Sequence, residues 1–451
     1  MSFRQNWLDR FACSNFGPAR RSRRAGFRRL PVEALEDRKY LSATMTLTDS
    51  GHTLNVVGDR GDNHIEIVQD DRGVHVTADG APTQNFTGIE LILVQTGYGN
   101  DDVRVIHGFN PQPDPPGNQW RSLDLRASLG EGDDKFAADL QVPSGTIRVG
   151  VDAGNGNDAV TFRTVNDPKS RPQSPGDGSV RTVLLYANLG AGNDVFNGDL
   201  QFPPDPCRLM VMGGSGADSI NALIGLLSNA IPNGDVQGTI DLSLNGGDGN
   251  DVIRSTARNV NLNGRVTIDL QGGAGNDVVQ QTLEMVRVNA GLDLNANGGA
   301  GDDYVVLSAS PESRSTSEVI PTFFVNSKVR LNLQGDLGND RLMGLIQPCV
   351  MPAGSLDMIF GGGGGNDLFS ILLGLEPGTV DPPPEHTTSG EQDGPIRLTV
   401  LGGDGDDRLY LSVRNLGHSM SPLDVRLDGG TGLNTAVVTP GIDVSDWLDQ
   451  L

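Results

Sequence analysis

The stretch VTIDLQGGAGNDVVQ, residues 266–280, contains a glycine-rich turn that ends in Asp277. Ile268 and Leu270 precede this aspartate by nine and seven residues, and Val279 follows it by two. The same frame recurs thirteen times, and we call the residue that ends each turn the anchor. The anchors are Asn63, Asp101, Asp134, Asp158, Asp194, Asp218, Asp251, Asp277, Asp303, Asp340, Asp367, Asp407 and Asn434. A single register held over most of the chain is typical of a repeat protein.

The frame has fixed positions when the anchor is counted as position 0. Position −2 is glycine in every repeat, and position −4 is glycine in all but two, where Asp59 and Asp336 stand. Positions −9, −7 and +2 are apolar in all thirteen repeats, whereas position −8 is mostly polar or small. This alternation predicts a strand with one buried face before the turn, and a second strand that begins after it.

The distance between successive anchors favours a stacked architecture. It runs from 24 to 40 residues, which suits one coil of a parallel β-helix. The sequence therefore predicts an all-β fold, a right-handed parallel β-solenoid (β-helix) of about thirteen coils with the glycine-rich turn at one corner of each. Proline-rich stretches in the longer spacings are expected to leave the coil as loops. The alternative is several antiparallel β-sandwich domains, because strand–turn–strand also describes a hairpin.

Composition agrees with a solenoid and restricts the partners. Hydrophobic residues make up 36% and aromatic residues 5%, which is little for a globular core but enough for stacked coils. The net charge is −23, and residues 1–43 hold ten Lys/Arg against four acids, so the remainder carries about −29. Such a body should attract cations and repel nucleic acid. No apolar run has transmembrane length, and the three cysteines predict no disulfide framework.

The N-terminal segment differs from the repeats. A basic cluster, RRSRRAGFRRL, precedes PVEALEDRKYLSA, which resembles the N-terminal motif of planctomycete exported and surface proteins, with Val32 and Tyr40 where leucines are usual. The resemblance implies a secreted or cell-surface protein, although a conventional apolar signal-peptide core is lacking. We expect residues 1–43 to be a disordered export or sorting segment, residues 44–438 to form the solenoid, and residues 439–451 to cap the last coil.

The turns resemble the nonapeptide G-G-x-G-x-D-x-U-x of RTX (hemolysin-type) calcium-binding proteins. Residues 246–251, 272–277 and 402–407 match its first six positions completely. The repeats are dispersed rather than in tandem, and they are too long for the β-roll of that family, whose coil spans two nonapeptides. The resemblance implies Ca²⁺ bound between turns of successive coils.

Hard cations such as Ca²⁺ prefer oxygen ligands, which anchor carboxylates and glycine carbonyls would supply. The expected metal ligands are Asp101, Asp134, Asp158, Asp194, Asp218, Asp251, Gly273, Gly275, Asp277, Gly299, Gly301, Asp303, Asp340, Asp367 and Asp407. The alternative is a structural corner without metal. Asparagine precedes the anchor in seven repeats, and stacked Asn side chains form ladders without a cation, with the aspartates then facing water.

Sequence motifs of catalysis are lacking. The six histidines are scattered, and no GxSxG, HExxH or GxxxxGK motif occurs. The sequence therefore predicts a non-enzymatic, calcium-binding structural or adhesive protein at the cell surface or outside the cell, with a surface polysaccharide or another surface protein as partner. The alternative is an extracellular carbohydrate-active β-helix enzyme of the lyase or epimerase type. A groove lined by Arg, Asp and aromatic residues would favour that enzyme.

Overall fold

The computed structural model describes residues 43–108, 122–141, 145–165, 181–201, 206–225, 234–236, 238–309, 323–350, 354–375, 395–414 and 423–439. These residues form β-strands and one short 3₁₀ helix, Asp49–Gly51. The strands, numbered in chain order, belong to two long sheets that we call sheet A and sheet B. No helix in the described ranges is long and apolar enough to cross a membrane.

Sheet A contains the strands that precede the turns. They are β1 (Ala43–Thr48), β2 (Thr53–Gly58), β6 (Leu91–Tyr98), β8 (Leu123–Glu131), β10 (Gly145–Asn155), β12 (Arg181–Ala191), β14 (Cys207–Ser215), β17 (Ile240–Asp248), β19 (Arg265–Ala274), β21 (Gly291–Ala300), β24 (Lys328–Leu337), β26 (Ser355–Gly364), β28 (Ile396–Asp404) and β30 (Leu423–Asp428). From β2 onward, each strand pairs with the strand of the next repeat.

Sheet B contains the strands that follow the turns. They are β3 (His64–Asp70), β4 (Gly73–Ala78), β5 (Gln84–Phe86), β7 (Asp102–His107), β9 (Lys135–Gln141), β11 (Ala159–Val165), β13 (Val195–Leu200), β15 (Ser219–Gly225), β16 (Gly234–Val236), β18 (Val252–Leu262), β20 (Val278–Val288), β22 (Tyr304–Ala309), β23 (Phe323–Val325), β25 (Arg341–Val350), β27 (Leu368–Leu375), β29 (Arg408–Arg414) and β31 (Thr435–Val438).

Pairing between successive repeats is parallel in both sheets, and it keeps the register of the sequence frame. In sheet A, Leu270 pairs with Ala296 and Gly273 with Gly299, which are equivalent positions of neighbouring repeats. In sheet B, Val278 pairs with Tyr304 in the same way. The parallel pairing confirms the solenoid-like repeat architecture. The alternative of antiparallel sandwich domains is wrong, because the same strand–turn–strand unit stacks on its neighbours instead of folding back as a hairpin.

The core lies between the sheets and follows the apolar positions of the frame. Ile268, Leu270 and Val279, at positions −9, −7 and +2, are completely or almost completely buried. Three phenylalanines at positions +2 and +4, Phe136, Phe162 and Phe196, pack edge to face from one repeat to the next. The ring centroids of Phe162 and Phe196 are 5.6 Å apart. Burial of one apolar strip per repeat supplies the main stabilisation of such a stack.

Antiparallel strands occur at the N-terminal end, which the sequence frame did not predict. Strand β1 pairs antiparallel with β2 in sheet A. In sheet B, β3, β4 and β5 pair antiparallel, so β4 and β5 lie beside the first repeat. These strands satisfy backbone groups that the first repeat would otherwise leave open, and an uncovered strand edge is an aggregation hazard.

Three sequence-based expectations lie wholly or largely outside the described residues. They concern the basic segment up to residue 42, most of the proline-rich stretches, and the C-terminal segment from residue 440 onward. The strands themselves run from Ala43 to Val438. Cys207, at the start of β14, is a buried free thiol.

Candidate functional site

The anchor residues form one continuous row inside the corner where sheet A turns into sheet B. The aspartate anchors are at most 2% exposed, so their side chains do not face water. In each case Oδ1 accepts the backbone N–H of the preceding anchor at 2.7–2.9 Å. Oδ1 of Asn434 accepts the N–H of Asp407 in the same way and ends the row. We call this chain of bonds the inner row.

The residues at position −1 form a second row on the exposed side of the turn. Its hydrogen bonds run in the direction opposite to those of the inner row. Here Oδ1 of one repeat accepts the backbone N–H of the next repeat at 2.7–2.9 Å. Asn250, for example, accepts from Asn276, and Asn276 accepts from Asp302. Ala217 has no side-chain acceptor to offer Asn250, so the row is interrupted there. We call it the outer row.

Together the two rows account for the backbone donors of the turn. In the repeat of Asp277, the N–H of Gly275 donates to the carbonyl of Ala300, and the N–H of Val278 donates to the carbonyl of Asp251. The N–H groups between them belong to Asn276 and Asp277, and the outer and inner rows satisfy these. Buried N–H groups need acceptors, so Asp or Asn is required at the buried position 0, whereas the exposed position −1 also tolerates Ala217 and Leu433.

The glycines at positions −4 and −2 are required for two reasons. Gly273 and Gly275 have φ of 120° and 130°, a backbone region that favours glycine. A Cβ on Gly275 would also lie 1.7 Å from the carbonyl oxygen of Gly249 in the preceding repeat. Asp336, which replaces glycine at position −4, still has φ of 74°. Aspartate tolerates this conformation better than most residues, so the turn keeps its shape there.

The second oxygen of each anchor carboxylate has no partner among the described residues. Oδ2 is buried and without a hydrogen bond in Asp101, Asp134, Asp158, Asp194, Asp218, Asp251, Asp277, Asp303, Asp340, Asp367 and Asp407. From Asp218 onward, position −5 is glycine. Oδ2 of Asp218 lies 2.4 Å from the place that a Cβ on Gly213 would take, and the carbonyl oxygen of Gly246 lies 2.2 Å from the same place. Both oxygens therefore border the space that a side chain at position −5 would occupy, and Oδ2 has no hydrogen bond there.

The last repeat shows what this place accommodates. Asn434 is the anchor there, and its Nδ2 donates to the carbonyl of Gly429, at position −5, at 2.9 Å. A native amide thus donates to the position −5 carbonyl of its own repeat, the same carbonyl that borders the space beside Oδ2 of Asp407 in the preceding repeat. A buried carboxylate oxygen without a donor is unfavourable. A proton or a cation at Oδ2 would give the aspartate anchors the partner that this oxygen lacks.

Burial raises the pKa values of the aspartate anchors and so favours their uncharged form. Desolvation, aided by neighbouring carboxylates of the row, raises the pKa of Asp158, Asp218, Asp303 and Asp340 to about 7. The pKa of Asp134, Asp277, Asp367 and Asp407 rises to about 6, again mainly through desolvation. Burial also raises the pKa of Asp101, Asp194 and Asp251. The whole row resists carrying uncompensated negative charge.

The predicted metal ligands meet only in part. The eleven aspartates do lie in one row, and Gly273, Gly275, Gly299 and Gly301 lie at the same corner. The carbonyl of Gly273 points at Gly299 of the next repeat, and that of Gly275 points at Gly301. In the described part of the chain, no three His, Cys, Asp or Glu side chains converge as a metal group would. A cation would have to take one carboxylate oxygen together with backbone carbonyls.

Two features of this corner escaped the sequence interpretation. One is the burial of the anchor, for which the alternative without metal predicted exposure to water. The signal was available, because position 0 lies two residues before the buried position +2 and shares its face. The other is the glycine at position −5, whose carbonyl lies beside Oδ2. Most earlier repeats have another residue at this position. The repeats from Asp218 onward all carry the glycine, as Gly213, Gly246, Gly272, Gly298, Gly335, Gly362, Gly402 and Gly429.

The raised pKa values predict that, in chelator, the melting temperature falls by several degrees from about pH 5 to about pH 8. The folded-state pKa of about 6 to 7 lies above the ordinary 3.8. The stabilising contribution of these groups is therefore complete below 3.8 and is lost as the pH rises through 6 to 7. Thermal unfolding followed by circular dichroism would measure it. A melting temperature that stays constant or rises over this range would contradict buried, unpaired carboxylates.

Comparison with known proteins yields no match: no protein-family model, curated protein or solved structure is similar to this chain.

Proposed function

We propose that this chain is a non-enzymatic structural or adhesive protein, secreted or held at the cell surface, whose right-handed solenoid of about thirteen coils binds Ca²⁺ along the inner row. One observation carries the cation part of this proposal: eleven buried carboxylates each keep an oxygen without a partner. The net charge of −23 and the N-terminal resemblance to exported proteins agree with an environment rich in calcium. A surface polysaccharide or another surface protein would be the partner.

The residues that would hold Ca²⁺ are the aspartate anchors, with carbonyls of the turn glycines. The donor set is of the right kind, because Ca²⁺ prefers carboxylate and carbonyl oxygens. When bound, the cation would supply the positive charge that buried carboxylates need. Its binding energy would then add to the stability of the stack, since the unfolded chain cannot assemble such a row.

A calcium titration tests this proposal. Ca²⁺ should raise the melting temperature at about pH 8, where the anchors are ionised, and chelator should lower it. Isothermal titration should show several ions per chain, while Mg²⁺, which prefers rigid octahedral geometry, should be less effective. Identical unfolding curves in calcium and in chelator, with no heat of binding, would reject calcium and leave the solenoid untouched.

Protonation is the second way to satisfy the inner row, and one observation favours it. Oδ1 already accepts a backbone N–H in every repeat, so only Oδ2 is free, and no other acid joins it in the described part of the chain. A neutral carboxyl group would give Oδ2 a proton to donate to a carbonyl oxygen, as the amide of Asn434 donates to a carbonyl within its own repeat. The two alternatives differ in their pH dependence. Protonation gives greatest stability in mild acid without metal, whereas calcium gives a gain that grows as the anchors ionise.

A further inference from the structure

A groove of about 1020 Å³ lies on the outward face of sheet B, across β22, β25, β27 and β29. Its walls include Tyr304, Arg341, Met343, Leu368, Arg408 and Tyr410. It lies outside the core, and its side chains point away from the inner row because they occupy the odd positions +1 and +3.

The register places these side chains in two rows across the strands. At position +1, Tyr304, Arg341, Leu368 and Arg408 pair in succession. At position +3, Met343, Ser370 and Tyr410 pair in succession. With strands about 4.8 Å apart and residues about 3.3 Å apart along a strand, the backbones of the two arginines lie about 10 Å apart and those of the two tyrosines about 16 Å apart at opposite ends. The groove therefore offers aromatic surfaces at its ends and guanidinium groups between and beside them.

The two guanidinium groups are available for a ligand. Among the described residues, neither Arg341 nor Arg408 forms an ion pair. The carboxylates that line the groove are turn acceptors of both rows. Asp302 and Asp406 accept backbone N–H groups in the outer row, and Asp303, Asp340 and Asp367 do so in the inner row. Tyr410 is 49% exposed and Tyr304 is 37% exposed, so both rings can be reached from solvent.

The same face is different in the middle of the chain. At position +1, the five preceding repeats carry Ala159, Val195, Ser219, Val252 and Val278. None of these has an aromatic ring or a positive charge. Tyrosines and arginines are not needed to build this face, since the sheet continues without them. Their concentration on four adjacent repeats requires an explanation other than folding.

We propose that this groove binds an anionic polysaccharide, with the tyrosine rings against sugar faces and Arg341 and Arg408 bound to the acidic groups. Arginine pairs with carboxylate and sulfate-like groups through two parallel hydrogen bonds, which gives both affinity and orientation. An extended chain fits a groove that crosses four strands, and aromatic side chains supply its apolar contacts. The acids at the groove serve as turn acceptors, so the site fits binding rather than catalysis. This inference deepens the adhesive role proposed above, and it does not depend on calcium in the inner row.

The test uses the full-length protein and two matched pairs of probes. Polygalacturonate is compared with its methyl ester, and dextran sulfate is compared with dextran. Isothermal titration is carried out both in calcium and in chelator, so that failure of the calcium proposal remains distinguishable. We expect binding to the two anionic polymers and not to their uncharged counterparts. The double variant Arg341→Gln/Arg408→Gln should bind about tenfold more weakly or worse, and Tyr410→Ala should also lose affinity.

Matched controls come from the same chain. Arg254 is an exposed arginine at position +3 of the same sheet face, two repeats before the groove, and Tyr98 is an exposed tyrosine near the first turns. Arg254→Gln and Tyr98→Ala should leave binding unchanged. Equal losses in control and groove variants, absence of binding to both anionic polymers, or equal binding of dextran would overturn the proposal. Tight binding of polyglutamate, lost in the same arginine variant, would replace a polysaccharide ligand by an acidic peptide.

Discussion

Replacing Gly365 by alanine is expected to lower the free energy of unfolding by about 3 kcal/mol or more, whereas the same change at Gly364 should have little effect. Gly365, at position −2, has φ of 131°, and a Cβ there would lie 1.8 Å from the carbonyl oxygen of Gly338. The contact is with the backbone of the preceding repeat, so no side-chain rotation can relieve it. At Gly364 the nearest atom to a new Cβ is Cδ2 of Leu337, at 3.6 Å.

The comparison of Gly364→Ala with Gly365→Ala is informative because the two glycines are neighbours in the same turn. Denaturant unfolding in calcium and in chelator would measure both variants against the parent protein. If Gly364→Ala proved as destabilising as Gly365→Ala, the close stacking of glycines between repeats would not be the cause. Helix or strand propensity cannot produce the difference, since the chemical change is identical.

Asp277→Ala is expected to destabilise the protein by about 2 to 4 kcal/mol, and Asp277→Asn should cost much less. Alanine removes the acceptor of the Asp251 N–H, now 2.7 Å from Oδ1, and leaves that buried donor unsatisfied. Asparagine keeps the acceptor, and it can direct its amide N–H as Asn434 does in the last repeat. In chelator at about pH 8, where the parent carboxylate is ionised, Asp277→Asn should equal or exceed the parent in stability.

Asp302→Ala provides the control for this series. Asp302 also accepts a backbone N–H, but it lies exposed in the outer row, where water can replace the lost acceptor. Its removal should cost less than that of Asp277. If Asp277→Asn were as damaging as Asp277→Ala in chelator, the hydrogen bond to Oδ1 would not explain the anchor. If it were damaging only in calcium, the carboxylate charge would be the part that matters.

The sequence predicted the fold correctly wherever the same residue type recurs at the same position of successive repeats. Apolar positions −9, −7 and +2 predicted the buried faces, and a constant register predicted that equivalent residues would pair between repeats. The orientation of the anchor was harder to predict. Side chains alternate between the two faces of a strand. Counted from the buried position −7, seven residues earlier, the anchor should be exposed. Counted from the buried position +2, two residues later, it should be buried. The turn breaks the two-residue period of the strands, so only the second distance applies.

Other features could not be obtained from the repeat at all. Strands β4 and β5 lie in the spacing between Asn63 and Asp101, where an alternating pattern continues around the turn at Asp71 and Arg72 without an anchor. The groove on sheet B combines residues from four repeats that are separated along the chain by 27 to 40 residues. Each of its tyrosines and arginines is unremarkable within its own repeat. Only the stacking order brings them to one place.

The two rows of the turn have opposite directions, and this makes the junctions between typical repeats equivalent. Each typical repeat offers an inner side-chain acceptor to its predecessor and an outer one to its successor, and it presents matching N–H donors on both sides. A gene duplication or deletion of one whole repeat would therefore join faces that already fit. The number of stacked repeats is therefore free to vary by copy number, while asparagine anchors stand in the first and last repeats.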